Sequence, residues 1–340
     1  MDMSRSGNGV MARASSAAVA ALDLGTNNCR LLIGAPTRDG FRVVDSYSRI
    51  VRLGEGLHHT GALAPSAMDR AMVALRACAD RIERRPLRGI RAVATEACRR
   101  ATNGAAFLDR VRDETGLEIK TITTREEAEL ALESCSPLLA GDGRRALLFD
   151  IGGGSTEIAW VRLDGGPQPE LIGYLSLPVG VVTLAERCAG SCYQSEGFAR
   201  LVEDIVAMLR PFEGVHRISE EIRRGGVVMV GTSGTVTTLA GVSMKLERYR
   251  RGLVDGVSLT RGAVDDALAE AQALGRDGLS RHPCIGQERV EFVLPGCAIF
   301  AAIHELWQVP QLMVADRGLR EGMLMRLMRD MSPYKPRFHA

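Results

Sequence analysis

ALLFDIGGGSTEIAWVRL, residues 146–163, is an apolar run ending in Asp150, a turn of three glycines and Ser155, and a second apolar run that opens at Glu157. Residues 19–35, VAALDLGTNNCRLLIGA, repeat the pattern with Asp23, Gly25 and a Thr-Asn-Asn turn. The two aspartates stand 127 positions apart. A separation of one domain length argues for two similar domains and against a short-period solenoid. In each copy the apolar run sets a carboxylate at the tip of a buried strand, and the glycines allow backbone conformations that a side chain forbids. Successive N–H groups in such a turn can converge on an anion. The residues after each turn, Cys29 to Ile33 and Glu157 to Val161, read as strand. Each copy is therefore a phosphate-binding hairpin and not a Walker A loop, which needs Gly-Lys-Ser/Thr opening a helix.

A third phrase, VVMVGTSGTVTTLAG at residues 227–241, runs four apolar residues into Gly231, Thr232, Ser233, Gly234 and Thr235. A strand entering a helix start offers backbone and hydroxyl donors to an anion, and taken alone it is equally an ordinary capped turn. Elsewhere the pattern alternates. Apolar positions 68, 72, 75, 79 and 82 mark a helix closed before Pro86; residues 89–94 read as strand; Asn103 caps a helix that stops at Gly116. Leu117 to Ile122 is strand-like and Arg125 to Cys135 helical; Ala199 to Met208 is a further helix, and Pro295 begins one that reaches Trp307. Strands alternating with helices give an α/β fold with helix-covered sheets. The domains read as 19–124 and 125–330, between a loose tail over 1–18 and a frayed one over 331–340.

Composition bounds the partners. The chain has 340 residues, 43 Lys+Arg against 41 Asp+Glu, and a formal net charge of +2. A near-neutral total excludes a polybasic nucleic-acid protein. No run approaches the ~20 apolar residues of a membrane helix, so no membrane partner is expected. Of the basic residues only three are Lys. That bias follows from genomic base composition or, locally, from the two-pronged fit of Arg to phosphate oxygens. Residues 76–100 hold eight Arg and three acids, a basic stretch suited to a polyanion or to a solvated helix face. The eight Cys are scattered; only Cys188 and Cys192 are near neighbours, with no His beside them. Zinc is thereby disfavoured, and a reduced, cytoplasmic protein is expected.

TTREEAELAL places Glu126, Glu127 and Glu129 in the first turn of a helix, where the dipole alone favours acids. At a domain junction a carboxylate there can also take a proton from water attacking phosphorus.

DLGTNNCRLLI, RLGEGL, ATEACRRATNG, TTREEAEL, LFDIGGGSTEIAW, VGTSGTVTTLAG, FVLPGCAIFAA and VADRGLREGML follow one another over about residues 20 to 325. In this order they resemble the exopolyphosphatase/guanosine pentaphosphate phosphohydrolase (Ppx/GppA) family. The resemblance implies two actin-like ATPase (ASKHA, ribonuclease H-like) domains facing each other across a cleft. It implies Glu127 as catalytic base and Glu157 as second catalytic carboxylate, with Mg²⁺ or another divalent cation on Asp23 and Asp150. Gly25, Thr26, Asn27 and Asn28, and Gly152, Gly153, Gly154 and Ser155, would cradle phosphates; Gly231, Thr232, Ser233, Gly234 and Thr235 would line the cleft; Arg30 and Arg99 would bind non-bridging oxygens. The implied activity is release of orthophosphate from polyphosphate, with guanosine pentaphosphate (pppGpp) as second substrate. The alternatives are a kinase or ATPase of the same fold and a non-catalytic guanosine-phosphate sensor. Relatives often carry Gly where Thr124 stands and Arg where Glu129 stands, which puts substrate preference in question. The C-terminal HD-type helical extension of longer members is absent from the sequence, which bears on long-polymer processivity. A homodimer is the one protein partner left open.

Overall fold

Both quoted hairpins form, each at the heart of its own sheet. The computed structural model describes residues 18–331 apart from 39, 142 and 167. The expected tails at 1–18 and 331–340 therefore lie, but for Ala18 and Met331, outside the described residues. The first hairpin joins β1 (Val19–Leu24) to β2 (Asn28–Thr37), followed by β3 (Gly40–Ile50), β4 (Gly89–Ala94) and β5 (Ile119–Thr121). The second joins β6 (Arg145–Ile151) to β7 (Thr156–Arg162), followed by β8 (Glu170–Leu177), β9 (Val227–Thr232), β10 (Ser258–Thr260) and β11 (Gln311–Ala315). The sheet orders are β3-β2-β1-β4-β5 and β10-β11-β9-β6-β7-β8. In each, three antiparallel strands meet two parallel ones at the strand that carries the Asp, and β10 adds an antiparallel edge to the second. This repeated order is that of the ribonuclease H-like, actin-like fold.

The central strands read as unbroken apolar runs because both their faces are covered: Val19 to Leu22 and Ala146 to Phe149 are buried throughout. By contrast β3, an edge strand, is largely exposed and polar, which is why no apolar run announced it. The helix Pro65–Glu83 buries Ala71, Met72, Leu75, Cys78 and Ile82 at helical spacing. Gly104–Thr115 ends on Gly116 at φ 69°, a left-handed terminus that glycine adopts without strain. Asn103 precedes that helix but does not cap it with its side chain. Its amide accepts from Leu63 N at 2.8 Å and donates to Leu63 O at 3.0 Å, so it pins the neighbouring loop. Pro295 does not open a helix either, since Val290–Leu306 starts five residues earlier with Pro295 inside it. The helix expected over 199–208 runs from Ser195 to His216 across Pro211.

Contacts divide the chain into one unit up to Ile122 joined by the segment from Leu319, and a second unit, Thr123–Gly318. The expected second domain ran to residue 330, but the last helix, Leu319–Asp330, packs on the first unit's sheet. Two glycines make room for it. A Cβ on Gly34 would stand 3.0 Å from Leu324 Cδ1, and one on Gly89 2.1 Å from Met331 Cε. Each unit has its own core, around Leu22, Leu31 and Leu75 in the first and around Phe149, Phe300 and Trp307 in the second. Among the described residues no helix is long and apolar enough to cross a membrane.

The basic stretch is mostly paired. Arg81 and Arg85 meet Asp45, Arg76 meets Glu114, and Arg99 and Arg100 meet Glu96. Five of its eight arginines thus serve ion pairs of the first unit, and the polyanion reading narrows accordingly.

Candidate active site

The second hairpin turn is fixed by its own carbonyls. Gly152 N donates to Ser155 O at 2.9 Å and closes the turn. Gly152 O accepts from Val181 N at 2.9 Å, and Gly153 O from Val182 N at 2.8 Å. Gly154 O accepts from Thr183 Oγ1 at 3.4 Å. Among the described residues the peptide bonds are trans, so each carbonyl that faces the helix Val181–Cys188 aims the next residue's N–H the opposite way. The N–H groups of Gly153, Gly154 and Ser155 thereby line one side of the turn, an arrangement that suits a phosphate. The close approach depends on Gly180, where a Cβ would lie 2.4 Å from the Gly153 carbonyl carbon.

Carboxylates flank this turn. Strand register sets Asp150, at the end of β6, opposite Glu157 of β7 and Thr232 of β9. Glu157 is 5% exposed. Its Oε1 accepts from Ser155 Oγ at 2.6 Å and from Ser176 Oγ at 3.0 Å. Its Oε2 lies 3.9 Å from the point a Cβ on Gly152 would occupy, beside the turn. Glu127 is 8% exposed, in the first turn of the helix Thr124–Cys135. That helix begins on a true cap, Thr123 Oγ1 accepting from Glu126 N at 3.1 Å, and it packs against β7 and β8. Glu129 is paired with Arg125 at 2.9 Å, so its charge is met locally.

The third phrase behaves as a strand-to-helix turn. Ser233, at φ 124°, caps the helix Gly234–Ser243 by accepting from Thr235 N at 3.3 Å. Gly231 has no space for a side chain, since its Cβ would fall 2.5 Å from Phe149 Cζ. Thr232 Oγ1 donates to Arg317 O, and the Arg317 guanidinium is held by both oxygens of Asp255 at 3.0–3.1 Å. Arg289 Nη1 comes within 3.9 Å of the Cβ position of Gly234, which puts an exposed cation beside the helix start. Neither Ser176 nor Arg289 belongs to a recognisable phrase: register delivers the first and helix packing the second.

The first unit repeats the device. Gly25 N donates to Asn28 O at 2.9 Å, and Asn27 O accepts from Val51 N at 2.8 Å and Arg52 N at 3.0 Å. Thr26 O accepts from Gly54 N at 2.9 Å. The RLGEGL phrase is therefore the support beneath the turn, and a Cβ on Gly54 would strike Thr26 Cγ2 at 2.3 Å. The N–H groups of Asn27 and Asn28 point away from these carbonyls. Register pairs Asp23 with Arg30. Burial pushes the Asp23 carboxyl above its ordinary range; Arg30 and Arg320 oppose the shift and Glu321 adds to it. Arg320 and Glu321 come from the last helix and were not given a role by sequence. Arg99, expected on phosphate, donates to Glu96 Oε2 at 2.7 Å and to Ile122 O at 3.0 Å.

A hard divalent cation fits the donors of the first unit. Asp23 Oδ1 and Asn27 Oδ1 are buried oxygens without a hydrogen-bond partner, and ions such as Mg²⁺ take oxygen ligands. Among the described residues no three His, Cys, Asp or Glu gather into a ready-made cage; Mg²⁺ held by one or two carboxylates plus substrate phosphates needs none.

Peptide N–H groups line a turn beside a strand-tip carboxylate in each of the two sheets, an arrangement that suits a phosphate. The family model for the Ppx/GppA phosphatase family matches residues 33–331, and the chain belongs to that family. The guanosine-5'-triphosphate,3'-diphosphate pyrophosphatase of Aeromonas hydrophila is 31% identical over 91% of this chain and 59% of its own length. Its counterpart in Aeromonas salmonicida matches equally. The chain thus spans about three fifths of these curated relatives. Among solved structures, an exopolyphosphatase-like protein superposes with a TM-score of 0.82 at 27% identity, covering 93% of this chain and 99% of that one. The Aquifex aeolicus PPX-GPPA enzyme gives 0.74 at 29% identity, covering 91% and 99%.

Proposed function

We propose that the protein is a Mg²⁺-dependent hydrolase of terminal phosphoanhydride bonds that releases orthophosphate from pppGpp and from inorganic polyphosphate. The observation that carries this reading is the Gly152–Ser155 turn, whose three glycine carbonyls are engaged by the helix Val181–Cys188 while Glu157 stands at its side. Family membership and the relatives named for pppGpp and polyphosphate chemistry support the substrate class.

A phosphoanhydride already has a good leaving group, so catalysis rests on charge neutralisation and placement of water. The N–H groups of Gly153, Gly154 and Ser155 would hold non-bridging oxygens of the terminal phosphate, and Arg289 would add positive charge at the neighbouring helix start. Asp23 and Asn27 of the first unit would hold a divalent cation, which would supply charge neutralisation on the phosphates; Asp150 is the corresponding carboxylate of the second unit. Glu157, oriented by Ser155 and Ser176, would position the attacking water. Glu127 takes the proton as water attacks phosphorus. Eight unbridged thiols suit a reducing, cytoplasmic setting.

The test is phosphate release from pppGpp, short polyphosphate, long polyphosphate and ATP at equal phosphate concentration. Glu127→Gln should fold normally and lose about 10² to 10⁴ in rate, the usual contribution of a general base. Binding of pppGpp without release from any of these substrates would make the protein a sensor and end the hydrolase reading.

A further inference from the structure

The helix Val181–Cys188 holds the phosphate turn at one end and a pair of thiols at the other. At its start, Val181 N, Val182 N and Thr183 Oγ1 bond to the carbonyls of Gly152, Gly153 and Gly154. At its last residue, Cys188 Sγ lies 3.4 Å from Cys192 Sγ. Eight residues span about 12 Å, a single stiff strut. We propose that Cys188 and Cys192 form an oxidisable dithiol, which a peroxide converts to a disulfide that displaces the Gly152–Ser155 turn.

Geometry fixes both halves of this proposal. The sulfurs are already in contact, and a bond requires an S–S distance of about 2.05 Å, so they must approach by more than 1 Å through side-chain rotation together with movement of the segments that carry them. The Cys192 side cannot yield easily. It sits in the tight turn Ser191–Tyr193, where a Cβ on Gly197 would meet Ser191 O at 2.2 Å, and Tyr193 Oη donates to Val290 O at 3.3 Å. The displacement therefore falls on the Cys188 side and passes along the strut to the carbonyls it grips. Between the cysteines, Ala189 and Gly190 are exposed and left-handed at φ 45° and 87°. This is a short turn over two buried sulfurs. Burial pushes the Cys192 thiol up to about 12, so reaction waits on opening of that turn and on strong or sustained oxidant.

The chemistry balances with hydrogen peroxide. One thiolate attacks a peroxide oxygen and displaces hydroxide, giving a sulfenic acid. The proton that the first thiol lost on ionising neutralises this hydroxide to water; the second thiol then attacks the sulfenic sulfur, and the displaced hydroxyl leaves with the second thiol's own proton as the second water. Two thiols and one peroxide become one disulfide and two waters. A reductant such as dithiothreitol reverses it.

The experiment treats the reduced full-length chain with hydrogen peroxide, followed by peptide mass mapping and amide hydrogen exchange. A Cys188–Cys192 linkage with faster exchange across residues 151–157, both reversed by dithiothreitol, is the expected result. Cys192→Ser should lose both effects, and Cys188→Ala repeats the test should that variant fold poorly. Cys29 and Cys78, two buried thiols of the first unit, are the internal comparison. Oxidation confined to them, or a 188–192 disulfide that leaves exchange at 151–157 unchanged, overturns the proposal. Phosphate release from short polyphosphate should fall several-fold on oxidation and recover on reduction in the wild-type chain only. This last readout rests on the hydrolase reading; the linkage and exchange readouts do not, so the two can fail separately.

Discussion

Asp23 keeps a carboxylate oxygen in a place that neither water nor a donor reaches. Burial favours its protonated form, so the stability it contributes is complete below the ordinary carboxylate range and is lost as pH rises through the raised value of the folded protein. Above that value the ionised group is a cost that a cation would relieve. Asp23→Asn should therefore raise the melting temperature of the metal-free protein at pH 7.5 and abolish the increase that Mg²⁺ gives the parent chain. Calorimetry with and without chelator checks this, and an equal Mg²⁺ response in both proteins would move the cation elsewhere. Ser176 shows the limit of reading residues singly. Its hydroxyl donates to the same oxygen of Glu157 as Ser155 does, yet it lies 19 positions away in an unremarkable strand, and only register brings it there. Removing one of two donors in Ser176→Ala should lower kcat several-fold and leave KM near its original value, since the substrate cradle is untouched.

At the scale of elements, the hairpins were legible because strand, carboxylate and glycine turn are contiguous in sequence. The struts behind them were not. Nothing in ATNG or LPVG says that Asn103 grips Leu63 or that Gly180 touches Gly153. Proline misplaced one helix start for a related reason. It is favoured in a first turn, but in Val290–Leu306 the surrounding packing carries it inside the helix. Gly180→Ala tests the strut directly. The methyl would fall 2.4 Å from backbone that cannot swing aside, so the turn must shift; such overpacking costs about 1–3 kcal/mol. We expect a lower melting temperature together with a larger loss in kcat/KM than Gly214→Ala, at a glycine with open space around it, measured on the same substrate.

Across the whole molecule, the chain crosses into the second unit once and comes back with its last helix. Met323 and Leu324 are fully buried against the first unit's core. Leu324→Ala should cost about 2–5 kcal/mol, the usual range for a buried leucine. Its effect should be uneven: hydrogen exchange should quicken in β1 and β2 and stay unchanged in β6 and β7, and a uniform loss of protection would show that the units do not open separately. The sequence by itself determined the duplicated α/β plan, the two hairpin turns and the family, because each is written in adjacent residues with local conformational preferences. Tertiary structure alone decided that residues 319–330 close the first unit, that five arginines of the basic stretch are spent on ion pairs, and that Ser176, Arg289, Gly180 and the Cys188–Cys192 pair stand at working distances. Such contacts depend on register and close packing between segments far apart in the chain, and no local pattern encodes which partners they will meet.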